Sequence, residues 1–157
     1  MPSSINEFRN HQYRVFLAEP YLKLDLQKEI DWHKEHLRKL NIMAKDPSLF
    51  HRSRTSHRIE DHHHRHFKEH VLESIPFHER ILGEHERRLK TVLDIMPEDI
   101  YRKLRSITVK LKTVPDYMVF DRISKRFFFL VEKPTPEKEK WSNFVKKKGL
   151  AEVMFLE

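Results

Sequence analysis

From Glu19 to Lys45 the chain reads EPYLKLDLQKEIDWHKEHLRKLNIMAK, and Leu22, Leu26, Ile30, His33, Leu37 and Leu40 recur at intervals of three and four. A strand would send such residues to alternating faces, whereas a helix gathers them into one stripe, so the spacing predicts a long amphipathic helix. Its stripe must be buried against another helix or a sheet. Trp32 falls off the stripe and is free to pack elsewhere.

The following DPSLFHRSRTSHR predicts a loop, from Pro47 and its serines and threonine. Between Pro47 and Arg58 there is no acid, while Arg52, Arg54 and Arg58 stand with His51 and His57. A second helix is expected from Ile59 to about Ser74, and Pro76 is expected to break it from a third over Phe77 to Met96. Pro97, Glu98 and Asp99 suit the start of a further helix. From Ser106 the period shortens to two: Ile107, Val109 and Leu111 alternate with Thr108, Lys110 and Lys112, the pattern of a half-buried strand. DYMVFD and RFFFLVE predict a hairpin around RISK, EKWSNFVKKK a helix closed by Gly149, and AEVMFLE a last strand. The expectation is a single α+β domain over 1–157. Residues 1–105 are mainly helical, and 106–157 form a strand-strand-helix-strand tail whose small mixed or antiparallel sheet receives the helices.

Partner chemistry follows from charge. The 31 Lys and Arg exceed the 24 Asp and Glu to give +7, and twelve histidines can add more. A polyanion is the natural partner, nucleic acid before an anionic membrane surface. The absence of cysteine excludes a disulfide framework and thiolate zinc sites. No apolar run approaches the ~18 residues of a membrane span, and MPSSINEFRN has no signal-peptide core, so a soluble, unprocessed intracellular protein is expected. Two glycines and a charged fraction of 35% resemble heat-adapted compositions.

The segment HRIEDHHHRHFKEH holds six histidines in fourteen residues. Ile59, His63, Phe67, Val71 and Ile75 share one helical face, which makes His63 a packed histidine. His62, His66, Glu69 and Glu73 fall on a neighbouring stripe whose spacing would suit Zn²⁺, Ni²⁺ or Cu²⁺. The favoured reading is a phosphate-facing helix in which Lys68 joins Arg52, Arg54 and Arg58 on a DNA backbone.

Carboxylates able to do chemistry are fewer. Asp116 followed by Glu132-Lys133 approaches the metal-binding pattern of restriction-type nucleases. It lacks the spacer that would put the acid and the lysine on one face of a strand. On the third helix Ile81, Leu82, Leu89, Val92, Leu93 and Met96 draw an apolar face that includes His85. At ~100° per residue Glu86 lies about 80° and Glu79 about 100° from the centre of that face. Glu86 is therefore expected to be half-buried, as a general base or a ligand of hydrated Mg²⁺, with Glu79 assisting and His85 able to transfer a proton. The plain alternative is a boundary glutamate paired to Lys90.

With HRIEDHHHRHFKEH and then GEHERRLKTVLDIMPEDIYRKLRSITVKLK, the whole chain resembles the small nucleases of Acidianus filamentous viruses, lipothrixviruses of hot-spring archaea. The resemblance implies a nuclease on linear double-stranded DNA, working in the host cytoplasm, with an α+β fold distantly similar to nucleotidyltransferases. The Gly-Ser turn and paired aspartates of nucleotidyl transfer are missing. The function expected is sequence-nonspecific, Mg²⁺-assisted hydrolysis of DNA phosphodiesters centred on Glu86. The alternatives are a non-enzymatic DNA-binding or packaging protein and a histidine-rich metal module.

Overall fold

The computed structural model describes residues 4–45 and 57–157, with side chains excepted over 57–68. The fold is α+β: five helices and a four-stranded mixed sheet. The chain divides into two compact units, one of residues 1–25 with 88–157 and one of residues 26–87. The first carries the sheet and the second is a helical hairpin.

In the sheet unit a 3-10 turn, Ile5–Phe8, is capped by the Ser4 hydroxyl and leads to strand β1 (Tyr13–Leu17) and the short helix α1 (Glu19–Leu22). Helix α4 (Glu98–Leu111), strands β2 (Tyr117–Asp121) and β3 (Phe127–Val131), helix α5 (Pro136–Lys147) and strand β4 (Glu152–Phe155) complete it. The strands lie in the order β1-β2-β3-β4. The first two pairings are antiparallel and β3 with β4 is parallel, because α5 carries the chain across between them. The expected 122–125 turn joins β2 to β3. The Asp121 carboxylate accepts from the backbone N–H of Ile123 at 2.9 Å, and Lys125 takes the left-handed conformation at φ 61°.

Alternation along β3 sorts the core into two layers. Phe128 and Leu130 pack with Val119, Leu156 and the Ile5 and Phe8 side chains of the 3-10 turn. Phe129 points the other way, edge-on to the fully buried Trp141 of α5, with ring centroids 5.1 Å apart. The Trp141 indole N–H donates to the Thr108 hydroxyl at 3.1 Å, which itself donates to the Leu104 carbonyl, so α4, α5 and the sheet share one buried knot. Tyr101 donates to the Tyr21 carbonyl at 2.6 Å, and burial pushes its phenol up to about 12. Gly149 ends α5 as expected: at φ 65° it lets its own N–H reach the Lys146 carbonyl and that of Leu150 reach Val145, a Schellman closure.

In the second unit α2 (Leu26–Lys45) packs antiparallel on the N-terminal part of α3 (His57–Ile95). Leu40, Met43 and Ala44 meet Val71 and Ile75 near one end, and His33 meets His78 and His85 nearer the other.

Three local expectations give way, and one strand comes unannounced. The helix over 19–45 is two helices, interrupted at 23–25. Residues 106–111 are helix, not strand: Ile107 and Thr108 extend the buried stripe of Tyr101 and Leu104, and Ile107 and Leu111 stand i, i+4, a spacing that strand alternation mimics. The boundary at 105/106 therefore falls inside α4. Pro76 does not break α3. Its missing N–H frees the Leu72 carbonyl, and Leu72 and Pro76 are both exposed, so water can take that hydrogen bond. Finally β1, which has no marked alternation in its sequence, gives the sheet an N-terminal edge strand beside the C-terminal ones.

Candidate functional site

Beside α4 in the sheet unit lies a groove of about 940 Å³. Lys23 from the end of α1, Arg88 from α3, Lys112 just beyond α4 and Lys138 from α5 bring four cations to it. Lys112 itself takes the left-handed conformation that ends α4, at φ 54°. Two carboxylates face the same space, Glu19 and Asp116. Glu19 pairs with Lys23 at 3.2 Å on the surface, where such a pair holds little energy. Arg88 and Lys112 have no carboxylate partner among the described residues.

Asp116 is tied down. One oxygen accepts from Lys138 Nζ at 2.8 Å, and the other from the backbone N–H groups of Glu132 at 2.8 Å and Lys133 at 3.0 Å. Burial pushes its carboxyl up, but these donors outweigh burial and hold it below the usual carboxylate range. The 116/132/133 pattern thus does come together, through the main chain of 132 and 133. What it forms is an anchored ion pair joining β2, β3 and α5 rather than an open ligand set.

The hairpin unit holds a different cluster. Along α2 the buried positions Leu26, Ile30, His33, Leu37 and Leu40 step by four, three, four and three. Along α3 Val71, Ile75, His78, Leu82 and His85 step in the same way. Such steps mark the seam of packed antiparallel helices, and three of its places are taken by histidine. His33 Nδ1 lies 2.9 Å from His78 Nδ1, so one ring must donate and the other accept. His33 Nε2 lies 3.8 Å from the Glu29 carboxylate. His85 is 7% exposed, its ring centroid is 5.6 Å from that of His33, and its Nδ1 has no hydrogen-bond partner. Burial, then the charge of His85, lowers the pKa of His33 against the opposing pull of Glu29; burial and then His36 and His33 lower that of His78. One donor atom each from Glu29, His33 and His85 lie within 4.8 Å of one another, a triad able to hold a metal ion. Trp32, 55% exposed, stacks flat on His36 at 4.9 Å beside the layer.

The expected site residues fall apart on this geometry. His85 is buried, as its place in the apolar face predicts. Glu86 and Glu79 are exposed, so the half-burial expected of Glu86 is not found. The seam runs through His85 itself, and Glu86 lies about 100° beyond it, past the border rather than on it. Glu79 shares the exposed line of Glu86 but sits seven residues away, about 10 Å along the axis, too far to complete one ion shell with it. No ion pair joins Glu86 to Lys90 among the described residues either. Arg52 and Arg54 lie outside the described residues, as do the side chains of Arg58, Lys68, His62, His63 and His66; Glu69 and Glu73 are exposed. The groove of the sheet unit was missed because its cations are scattered from 23 to 138. The histidine layer left two signs, His33 in a stripe of leucines and His85 in the apolar face of the third helix.

Among the described residues no helix is long and apolar enough to cross a membrane. No protein-family model, no curated protein and no solved structure matches the chain.

Proposed function

We propose that the chain is a nuclease that hydrolyses phosphodiesters of linear double-stranded DNA without reading its sequence, assisted by a divalent ion such as Mg²⁺. The observation that carries this reading is the groove in which Arg88 and Lys112 stand without a carboxylate partner among the described residues, beside the paired Lys23 and Lys138, on a chain of net charge +7. Cations so placed hold phosphate oxygens and carry no base information. The resemblance to the nucleases of filamentous archaeal viruses suggests the reaction, and with it a setting in the cytoplasm of an infected host cell. Glu86 remains the carboxylate proposed to activate water or hold the ion. It would do so as an exposed group that acquires its low-dielectric setting only when DNA covers it.

The experiment is digestion of a linearised plasmid with and without EDTA, by wild type and Glu86→Gln. Cutting by wild type that EDTA stops and Glu86→Gln lacks, at unchanged DNA affinity, supports the assignment; undiminished cutting by the variant removes Glu86 from the chemistry. The second reading, a DNA-binding or packaging protein without enzymatic activity, is favoured by the exposure of Glu86. It predicts affinity that falls steeply with salt and intact DNA at every ion concentration.

A further inference from the structure

Of the three seam histidines, two stand with Glu29 around a common point, and the hydrogen bonding of the third bears on what that point can hold. We infer that Glu29, His33 and His85 form a site for one transition-metal ion of the Zn²⁺ type, which clamps α2 to α3, with His78 as a positioning residue behind His33.

Two independent observations point to a ligand. The donor atoms already lie within 4.8 Å of one another. Tetrahedral Zn²⁺ with bonds of about 2.0–2.1 Å sets its donors roughly 3.4 Å apart, so closure requires movements of about 1 Å, available to the half-exposed Glu29. Separately, His85 is more than nine-tenths buried and its Nδ1 is unpartnered. A buried polar atom left so is a cost to the fold, and native proteins seldom carry one without a use.

The hydrogen bond between His33 and His78 fits the same purpose. If His33 Nδ1 donates to His78 Nδ1, the His33 Nε2 lone pair is left bare toward Glu29, the side on which an ion would sit. Ligating histidines are commonly oriented by a hydrogen bond from the other ring nitrogen. Two imidazoles and one carboxylate suit Zn²⁺ and its neighbours, whereas Mg²⁺ prefers oxygen donors and retains its waters, so this site is separate in kind from any ion used on DNA. The fourth position opens beside Glu29, whose side chain is 41% exposed, where water can enter. The inference holds whether or not the chain cuts DNA.

The test is calorimetric titration of untagged, chelator-stripped protein with Zn²⁺, in the presence of excess Mg²⁺. One Zn²⁺ per chain is expected. Glu29→Gln and His85→Gln should each weaken binding tenfold or more, and His78→Ala should weaken it about 10- to 100-fold. The double variant His62→Asn/His66→Asn, on the other histidine stripe, should bind as wild type does. Histidine ¹⁵N chemical shifts should move at His33 and His85 on Zn²⁺ addition, and the Nδ1-protonated tautomer of His33 should be lost in His78→Ala. Glu29 is partly exposed, so its replacement tests the site even if His85→Gln fails to fold. Binding below one equivalent, binding undiminished in Glu29→Gln, or binding lost in the His62/His66 variant would each overturn the inference.

Discussion

The polar groups at the centres of the two units are held in opposite ways, although the buried Ser142 hydroxyl at the edge of the sheet unit's own knot is also without a partner. In the sheet unit Thr108 and Trp141 are buried and satisfied, the indole N–H donating to the Thr108 hydroxyl, which in turn donates a hydrogen bond to the Leu104 carbonyl. In the hairpin unit His33, His78 and His85 interrupt an apolar seam, and His85 Nδ1 is left without a partner. A satisfied polar group is part of the packing, whereas an unsatisfied one is a cost that the fold bears for another reason. The contrast teaches where stability resides and where function should be sought.

The largest effect should come from the satisfied side. Trp141→Ala removes a fully buried indole and strands Thr108, and should destabilise the sheet unit by about 3–5 kcal/mol in urea unfolding. A loss under 1 kcal/mol would mean that the knot of α4, α5 and β3 is not the centre of that unit. In the hairpin, Pro76→Ala restores an N–H to the interior of α3 and should stabilise it by up to about 3 kcal/mol, read as slower hydrogen exchange over 69–80. Unchanged exchange would show that the helix has already adapted to its proline.

The sharpest comparison sets two polar-to-apolar changes side by side. Thr108→Val orphans the Trp141 N–H and should cost about 1–3 kcal/mol, while His85→Leu, in metal-free protein, removes an orphan and should gain about 1 kcal/mol. Equal signs would erase the distinction between the units. A smaller, pH-dependent effect belongs to Asp116. Its carboxyl titrates lower in the folded chain than in the unfolded one, so its stabilisation is complete above the unfolded value of 3.8 and is lost as pH falls through the depressed folded value. Asp116→Asn should flatten the acid limb of sheet-unit stability and leave exchange in the hairpin unchanged. A limb as steep as that of wild type would put the acid sensitivity on other carboxylates.

What the sequence discloses follows the range of the interactions. Helices α2 and α5, the β2–β3 hairpin and the Gly149 closure depend on neighbours within a few residues, and their periods and turn residues announce them. The end of α4 misleads because Ile107 and Leu111 satisfy a helical and an alternating pattern at once, and Trp141, across the fold, decides between them. The candidate sites are less legible still. The burial of His85 could be read from its own helix, but its nearness to His33 depends on a partner helix that begins 59 residues earlier in the chain, at Leu26. Glu86 shows how a wheel centred one residue away from the true seam turns an exposed acid into a border one.

Strand β1 pairs Tyr13 with Asp121, and everything between, including the whole helical hairpin, is synthesised before that partner exists. At ribosomal speeds of about 5–20 residues per second, the nascent edge waits on the order of 5–20 s for its ladder. The hairpin, built from nearer contacts, can close during that interval. Strand β1 thus waits longest for its partner although it leaves the tunnel before the rest of the sheet, and it is there that a chaperone would have most to do.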